Sequence, residues 1–380
     1  MQNLNKLNVG VVGAGLRSKS FLEVFSEHKV ARIFCVCDTN KQAAETAKRE
    51  YGASEAYDDY DQMLEKADID AVIISTPMHL HAKHSIAALK KNIHVLSEVT
   101  AAISVEECIE LAKAAVGSSA VYVFAENMNY VPAVLFIEGL IRKGYFGQPY
   151  FAHGEYLHPI GELVASTPWR RKWHVGIDGI TYGTHSVGPI LQWMGKDRIK
   201  AVSCQGSGYR HADLNGLPYA QNPCVMMCKT VEGALVTCRV DLVSKRPLAH
   251  NYVLQASHGC CEISFVSSHS VSPKPIGKVY LSDRCKEEEW IEINNLMSDK
   301  KILEECMPEI WHRYSTRIGT SHWGSDTLLI RDFIDTIVEN KKPRIGIHEA
   351  MDQTLPGLIS QQSIAQNGVW LDVPDSRRWV

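Results

Sequence analysis

Through the first third of the chain, short runs of β-branched and apolar residues alternate with stretches whose apolar positions recur every third or fourth residue. Leu7–Val12 is apolar and ends in glycines, a helix is predicted from Ser18 to about Glu27, and Ala31–Cys37 reads as a second strand. Asn40–Tyr51 reads as a helix carrying Ala43, Ala44 and Ala47, and a further helix near Tyr60–Lys66 precedes Ala71–Ser75. That last run is apolar throughout, as a parallel strand covered on both faces requires. His79–Lys90 is predicted helical, Ile93–Ser97 a strand, Ser104–Ala115 a helix and Val121–Ala125 a strand. Ser104-Val-Glu-Glu107 fits a capping box at the start of its helix. The alternation predicts an α/β Rossmann domain with a doubly wound parallel sheet.

The rhythm changes after about Glu126. Pro132–Lys143 is predicted helical, and from Tyr150 to about Ile293 the chain reads mainly as strands, for example Ala234–Val243 and Tyr252–Ala256. Helices are expected over His185–Met194 and Asp326–Glu339, and the Glu- and Lys-rich stretch Arg284–Glu305 reads as an exposed excursion. The second domain is therefore expected to be α+β, with a large, mostly antiparallel open sheet. The expected boundaries are 1–127 and 128–380, and 380 residues suit two domains at about 150 residues each.

Composition narrows the function. Forty Lys+Arg against forty-three Asp+Glu leave a net charge of −3, which offers nothing to neutralise a nucleic-acid backbone. No run approaches the length of an apolar membrane span, and Met1–Leu7 lacks an export pattern, so no membrane partner and a cytoplasmic location are expected. The eleven cysteines are scattered without zinc or C-x-x-C spacing, so buried thiols and no metal site are expected.

Gly13-Ala-Gly15-Leu16-Arg17-Ser18 follows the first strand and opens the first helix as G-x-G-x-x-S. Gly13 permits the tight turn, Gly15 lets a pyrophosphate approach the backbone, and the helix N-terminus donates amides and dipole. Ser18 takes the place of the third glycine, and Arg17 is a candidate phosphate contact. Asp38 ends the second strand twenty residues after Ser18. An acid there accepts hydrogen bonds from ribose hydroxyls and repels a 2′-phosphate, which favours NAD; its alternative is to cap the helix near Asn40.

Ser75-Thr76-Pro77-Met-His79-Leu-His81, with Ala87 to Glu98, Asn129-Tyr-Val-Pro132, Gly144-Tyr-Phe-Gly147 and Gly183-Thr-His185, resembles the Gfo/Idh/MocA oxidoreductase family over nearly the whole chain. The resemblance implies that Thr76, Pro77, Glu98 and Asn127 line the cofactor; His79 and His81 either join them or cap the helix start. Dehydrogenases of that family carry Glu-Lys-Pro where this chain has Glu98-Val99-Thr100, and an aspartate where it has Thr181. The chain is more similar to the NAD-dependent glycosidases of glycoside hydrolase family 109. The matches are at Glu98-Val-Thr-Ala-Ala102, Glu126-Asn-Met-Asn-Tyr130, Gly154-Glu-Tyr156-Leu-His158, Trp169-Arg170, Tyr182 to Pro189, Gly324-Ser-Asp326 and Pro356 to Ser360. That similarity implies a tightly held NAD, a sugar or glycoside substrate, and a homodimer or homotetramer built through the second domain's sheet.

Such chemistry oxidises the sugar at C3, eliminates the aglycone, adds water and reduces the ketone again. It needs a base for the 3-hydroxyl and a second for the C2 proton, and histidine or an activated tyrosine suits both. Tyr182-x-x-His185 places two such side chains on one face of a helix start. His185 is the expected acid/base and Tyr182 its partner; Tyr156 and Glu126 complete the candidate catalytic set. Each has a plainer alternative: Tyr156 as a sheet residue, Glu126 as a cap, Tyr182 as packing. Trp169, Arg170, His158 and His322 are candidate substrate contacts. The competing functions are a conventional NAD-dependent sugar or cyclitol dehydrogenase and a non-catalytic dinucleotide-binding regulator.

Overall fold

The computed structural model describes residues 6–25, 29–195, 197–213, 215–266, 275–286, 289–319 and 321–380, and the counts below are of these. The chain forms two compact units. One holds the chain up to Ala125 together with Asp326–Met351 and Ser376–Val380; the other holds Glu126–Ser325 and Asp352–Asp375. This is not a single cut near residue 127. The late helix Ser325–Val338 turns Leu328, Leu329, Ile330, Phe333 and Ile334 inward, and the backbone beyond it accepts a hydrogen bond at Ile345 O from Phe124 N–H, 3.0 Å away.

In the first unit, β1 (Leu7–Val12), β2 (Ala31–Cys37), β3 (Glu55–Tyr57), β4 (Ala71–Ile74), β5 (His94–Ser97) and β6 (Tyr122–Phe124) form a six-stranded sheet of order β3-β2-β1-β4-β5-β6, parallel throughout. All four residues of β4 are buried, so the unbroken apolar run marks a central strand. The first helix is Leu16–Phe25, and the expected end at Glu27 lies outside the described residues. Asn40 caps the helix Lys41–Tyr51, and Ser104 caps Val105–Val116, accepting from Glu107 N–H at 3.1 Å. Glu107 in turn accepts from Ile103 N–H, one residue further back than an ideal capping box.

The second unit is built on β7 (Pro149–Leu157), β8 (Ile199–Gly206), β9 (Cys224–Thr230), β10 (Leu235–Asp241), β11 (Ala249–Ala256), β12 (Gly259–Val266), β13 (Ile276–Leu281), β14 (Ile291–Glu292) and β15 (Leu371–Asp372). Their order is β14-β13-β12-β11-β7-β10-β9-β8-β15, and every pair is antiparallel except β7 with β10. One face carries the helix Thr184–Trp193 over β7, β10 and β11. The other shows a row in register across the sheet, Val225, Arg239, Glu155, Asn251, Ser264 and Ile276. Glu155 sits at its centre, 3.1 Å from Arg239 and 2.7 Å from Asn251 Nδ2.

Arg284–Glu305 is not an exposed excursion. It contains β14 and the helices Ile293–Ser298 and Lys300–Cys306, and buries Ile293, Leu296, Ile302 and, just beyond, Cys306. Its charges occupy one side of short helices whose other side is core. The helix Ile347–Ala365 is also absent from the sequence reading, because Pro356-Gly357 in its middle reads as a break. Burial of Ala350, Met351, Leu355 and Ser360 keeps it continuous.

Candidate functional site

Each unit carries a cluster of its own. In the first, Gly13 has φ +94°, and a Cβ there would stand 2.8 Å from Ser75 O, so only glycine fits the turn. Gly15 faces open space, and Leu16 beside it is exposed. Ser18 is fully buried and its hydroxyl donates to Gly15 O at 2.8 Å, closing the turn where a third glycine would otherwise let helix and strand meet. Asp38 does not cap the following helix. Its Oδ2 accepts from Ala14 N–H at 2.7 Å and its Oδ1 from Asn40 N–H at 2.8 Å, which fixes an acid at the end of β2 against the glycine turn. Open space at Gly15, the helix start beside it and this acid together fit a dinucleotide.

Arg17 is not aimed at a phosphate. Its Nε lies 2.5 Å from Glu98 Oε1, Nη1 and Nη2 each lie 2.9 Å from the carboxylate of Asp326, and its guanidinium stacks on Phe21. Burial works against its charge, but Asp326 and Glu98 outweigh it and raise the guanidinium's pKa. Asp326, the first residue of this unit's returning segment, was not among the sequence candidates, although Gly324-Ser-Asp326 is one of the segments similar to the glycosidases.

His81 is buried, and its Nδ1 and Nε2 each lie 2.8 Å from a carbonyl oxygen, of Thr100 and Thr76. It therefore ties the loop after β4, with Thr76 and Pro77, to the loop after β5, with Glu98; this is a positioning role. Thr76 and Pro77 are half-buried on that loop, as is His79 on the short turn Met78–Leu80. The Val99 side chain is buried, and its N–H donates to Glu98 Oε2 at 3.2 Å.

The second unit gathers the candidate catalytic residues. Glu126 is fully buried and caps the turn Asn127–Tyr130 through Met128 N–H; the same Oε1 lies 2.6 Å from His185 Nδ1. Glu126 is thus both cap of that turn and hydrogen-bond partner of His185. Asn127 is buried beside it. The Tyr156 hydroxyl and His158 Nδ1 share a hydrogen bond of 2.5 Å. The Tyr156 ring stands 5.0 Å from that of His185 and 5.6 Å from that of Tyr182, and Tyr182 is 5.1 Å from His185. His174 joins Tyr182 to Trp169, over which Arg170 stacks. Thr181, in the place of the family's aspartate, donates its hydroxyl to His174 O at 2.7 Å and is no base.

Two local features hold this arrangement. Gly154 on β7 lets the helix settle onto the sheet, since a Cβ there would stand 2.2 Å from Ser186 O. Pro189, inside that helix, has no N–H for the carbonyl four residues earlier, which is that of His185. The Tyr252 hydroxyl donates to that carbonyl at 2.5 Å. Tyr252→Phe keeps the packing and strips the carbonyl's partner, so it is expected to cost about 1–3 kcal/mol in urea unfolding. An unchanged midpoint would refute the assignment.

His250 was missed because the predicted strand began at Tyr252. On β11, His250, Tyr252 and Leu254 alternate on the buried face, and His250 pairs with Tyr156, their rings 5.0 Å apart. Trp323 meets His250 edge-to-face from a left-handed turn in which His322, Trp323 and Gly324 have φ of 45°, 57° and 85°.

Burial pushes the pKa of His250 far down, with the charges of His185, His158 and His322 adding to it. Burial also lowers His84 to about 4. In the unfolded chain these rings titrate near pH 6.5, so below that the unfolded state takes up protons that the folded state refuses. Stability from this source is complete above pH 6.5 and drains on acidification. Glu155, held at about 2 by His153 and then Asn251 and Arg239, keeps its contribution until pH falls below about 4.5. Urea midpoints are expected to fall between pH 7 and 5; a flat profile there would contradict the neutral histidines.

The family described as "Oxidoreductase family, NAD-binding Rossmann fold" matches residues 7–126, and "Glycosyl hydrolase 109, C-terminal domain" matches residues 130–379. A glycosyl hydrolase family 109 protein of Saccharopolyspora erythraea is 25% identical over 98% of this chain and 83% of its own. An alpha-N-acetylgalactosaminidase of Shewanella oneidensis is 24% identical over 98% of this chain and 85% of its own. Among solved structures, levoglucosan dehydrogenase in complex with NADH and levoglucosan superposes with a TM-score of 0.81 at 19% identity, covering 98% of this chain and 100% of that one.

Proposed function

This chain belongs to the glycosyl hydrolase 109 family and carries an NAD-binding Rossmann domain, and from that premise we propose that it cleaves a glycoside by transient oxidation at C3 of the sugar. The observation that carries the reading is the pair of acid/base couples standing side by side, Glu126–His185 and His158–Tyr156. A plain alcohol oxidation asks for one base; cleavage asks for proton transfers at both O3 and C2. The buried Val99 and the hydrogen-bonded Thr181, where dehydrogenases resembling this chain place lysine and aspartate, favour the same reading.

The glycine turn Gly13–Ser18 and Asp38 would hold NAD, which would supply a reversible hydride acceptor for C3. His185, with Nδ1–H held on Glu126, keeps Nε2 as the base that takes the 3-hydroxyl proton. Tyr156, whose proton passes to His158, removes the acidified C2 proton as the C1–oxygen bond breaks, and His158 hands the proton it received to the departing aglycone oxygen. Water adds at C1 with a proton at C2, and His185 returns its proton to O3 as the ketone is reduced. Tyr182 donates to a sugar oxygen, and Trp169 with Arg170 contacts the sugar. The sum is glycoside plus water to free sugar plus alcohol, with no net redox change. NAD therefore stays bound between turnovers. Self-association through the open sheet face belongs to the same reading, supported by the exposed Val225, Met227 and Ile276 there.

The test is a screen of nitrophenyl glycosides without added cofactor, beginning with the α-N-acetylgalactosaminide because a relative is so named. It is run in D2O, alongside release of nucleotide by denaturation. Stoichiometric NAD, cleavage and deuterium at C2 of the sugar are expected. Cleavage without deuterium would overturn the mechanism, and accumulating NADH without cleavage would make the enzyme a conventional sugar dehydrogenase.

A further inference from the structure

Trp169 and Arg170, the side chains given to the sugar, stand on a helix that cannot hold its own position. Trp169–Trp173 is five residues long, none of them is buried, and Pro168 before it supplies no side-chain cap. A helix so short is unstable in isolation, and without a buried face the core does not anchor it. Only past its end does the chain sink into the interior, at His174 and Val175. Yet this helix borders the catalytic cluster. The Trp169 ring lies 4.9 Å from that of His174, His174 lies 4.8 Å from Tyr182, and Tyr182 lies 5.1 Å from His185.

Arg171, at the middle of the helix, reaches across to the connection between β8 and β9. Its Nη2 donates to Pro218 O at 2.6 Å, its Nε lies 3.3 Å from Asp213 Oδ2, and its guanidinium lies over the Tyr219 ring, 4.9 Å from the centroid. One planar cation thus meets three residues at once, which an ammonium could not do. The connection it grips is itself fixed. Asp213 Oδ1 accepts from Asn215 N–H and Leu217 N–H at 2.9 and 3.0 Å, Ala212 bridges to Pro218, and Ala220 N–H donates to Val175 O at 2.7 Å. Asp178 closes its base, accepting from Gln221 N–H at 2.8 Å and from the Tyr209 hydroxyl at 2.6 Å. Asp213 therefore uses one oxygen to fold the turn and the other to receive Arg171. We propose that Arg171 and Asp213 are positioning residues for substrate binding: they clamp the helix that carries Trp169 and Arg170 to the β8–β9 connection and so set where those two side chains meet the sugar. The proposal rests on the substrate contacts given to Trp169 and Arg170. The side chains of Arg171 and Asp213 are 29% and 17% exposed, so the pair adds little to overall stability and its effect is local.

Two variants open the clamp from its two sides. Arg171→Met keeps the unbranched stem and deletes the cation. Asp213→Asn keeps an oxygen for Asn215 and Leu217 while deleting the charge that Arg171 meets. Each is expected to raise KM about tenfold on the nitrophenyl glycoside selected by the screen, with kcat little changed, because the acid/base couples stay in place. Arg171→Lys should fall between Arg171→Met and the parent. Hydrogen exchange of the full-length protein with its nucleotide supplies a second readout. The amides of Arg170, Arg171, His174 and Val175, which bond to Thr167, Pro168 and Arg170 carbonyls, should exchange about tenfold faster in both variants, and those of β7 should not change. A lower melting temperature with KM and exchange unmoved would make the clamp a purely structural contact and overturn the proposal. A higher KM in Arg171→Met alone would mean that Arg171 itself meets the substrate, which would also overturn it. If Arg171→Met does not fold, Asp213→Asn decides. Exchange needs no substrate, so the two readings fail separately. Faster exchange with no glycoside cleaved would end the glycosidase reading and support the clamp, whereas cleavage with KM and exchange unmoved would do the reverse.

Discussion

His185→Asn is expected to lower kcat by about 10³-fold, within the span that general acid–base groups supply, while leaving the nucleotide content and melting temperature near those of the parent chain. The choice of asparagine matters. Its amide nitrogen takes the place of Nδ1 and can still donate to the buried Glu126 carboxylate, 2.6 Å from the ring nitrogen it replaces. A shorter residue would strand that carboxylate and confuse lost chemistry with lost stability. What asparagine lacks is the second ring nitrogen, the one that must accept and return the proton. The expectation holds for cleavage and for simple oxidation alike, because both begin at the 3-hydroxyl. Glu126→Gln tests the other half of the couple: the ring remains, but its tautomer is no longer fixed, so the loss should be large with KM little changed. A loss below tenfold in His185→Asn, measured on the best glycoside found, would move the base to Tyr156–His158.

The first unit was legible almost strand by strand, because a buried parallel sheet leaves unbroken apolar runs such as Ala71–Ile74 and its helices carry local caps at Asn40 and Ser104. Glu55–Tyr57 escaped, since three half-buried residues at a sheet edge carry no period to detect. The catalytic candidates were legible as residues but not as a geometry. Tyr182 and His185 are close in sequence, whereas Glu126 reaches His185 only through a turn fifty-nine residues earlier. His250 and Tyr252 come from a strand whose inward face becomes clear only when its partner β7 is known. The Arg17–Asp326 contact joins residues hundreds of positions apart, and no spacing rule announces it. Pro356 hid a helix, while Pro189 freed the carbonyl that Tyr252 holds.

Arg17→Met should cost about 3 kcal/mol of stability, and its reason is the opposite of the phosphate contact expected from the fingerprint. The arginine's side chain is 24% exposed, but its partners Glu98 and Asp326 are 8% and 1% exposed, so removing the cation leaves two nearly dry carboxylates facing each other. Breaking a buried ion pair from one side costs about 3–5 kcal/mol, and the partial exposure of the arginine argues for the lower end. Methionine preserves the apolar stem packed on Phe21, so the loss reports charge rather than a cavity. Arg17→Lys keeps the charge but not the fork that meets Asp326 through two nitrogens, and should lose an intermediate amount. The decisive comparison is the double-mutant cycle. Asp326→Asn added to Arg17→Met removes one uncompensated charge and should recover part of the stability lost by the single variant. Additive losses would mean that the arginine acts through its stem alone. Coupling would identify a three-residue charge clasp that joins the dinucleotide turn, the end of β5 and the returning helix.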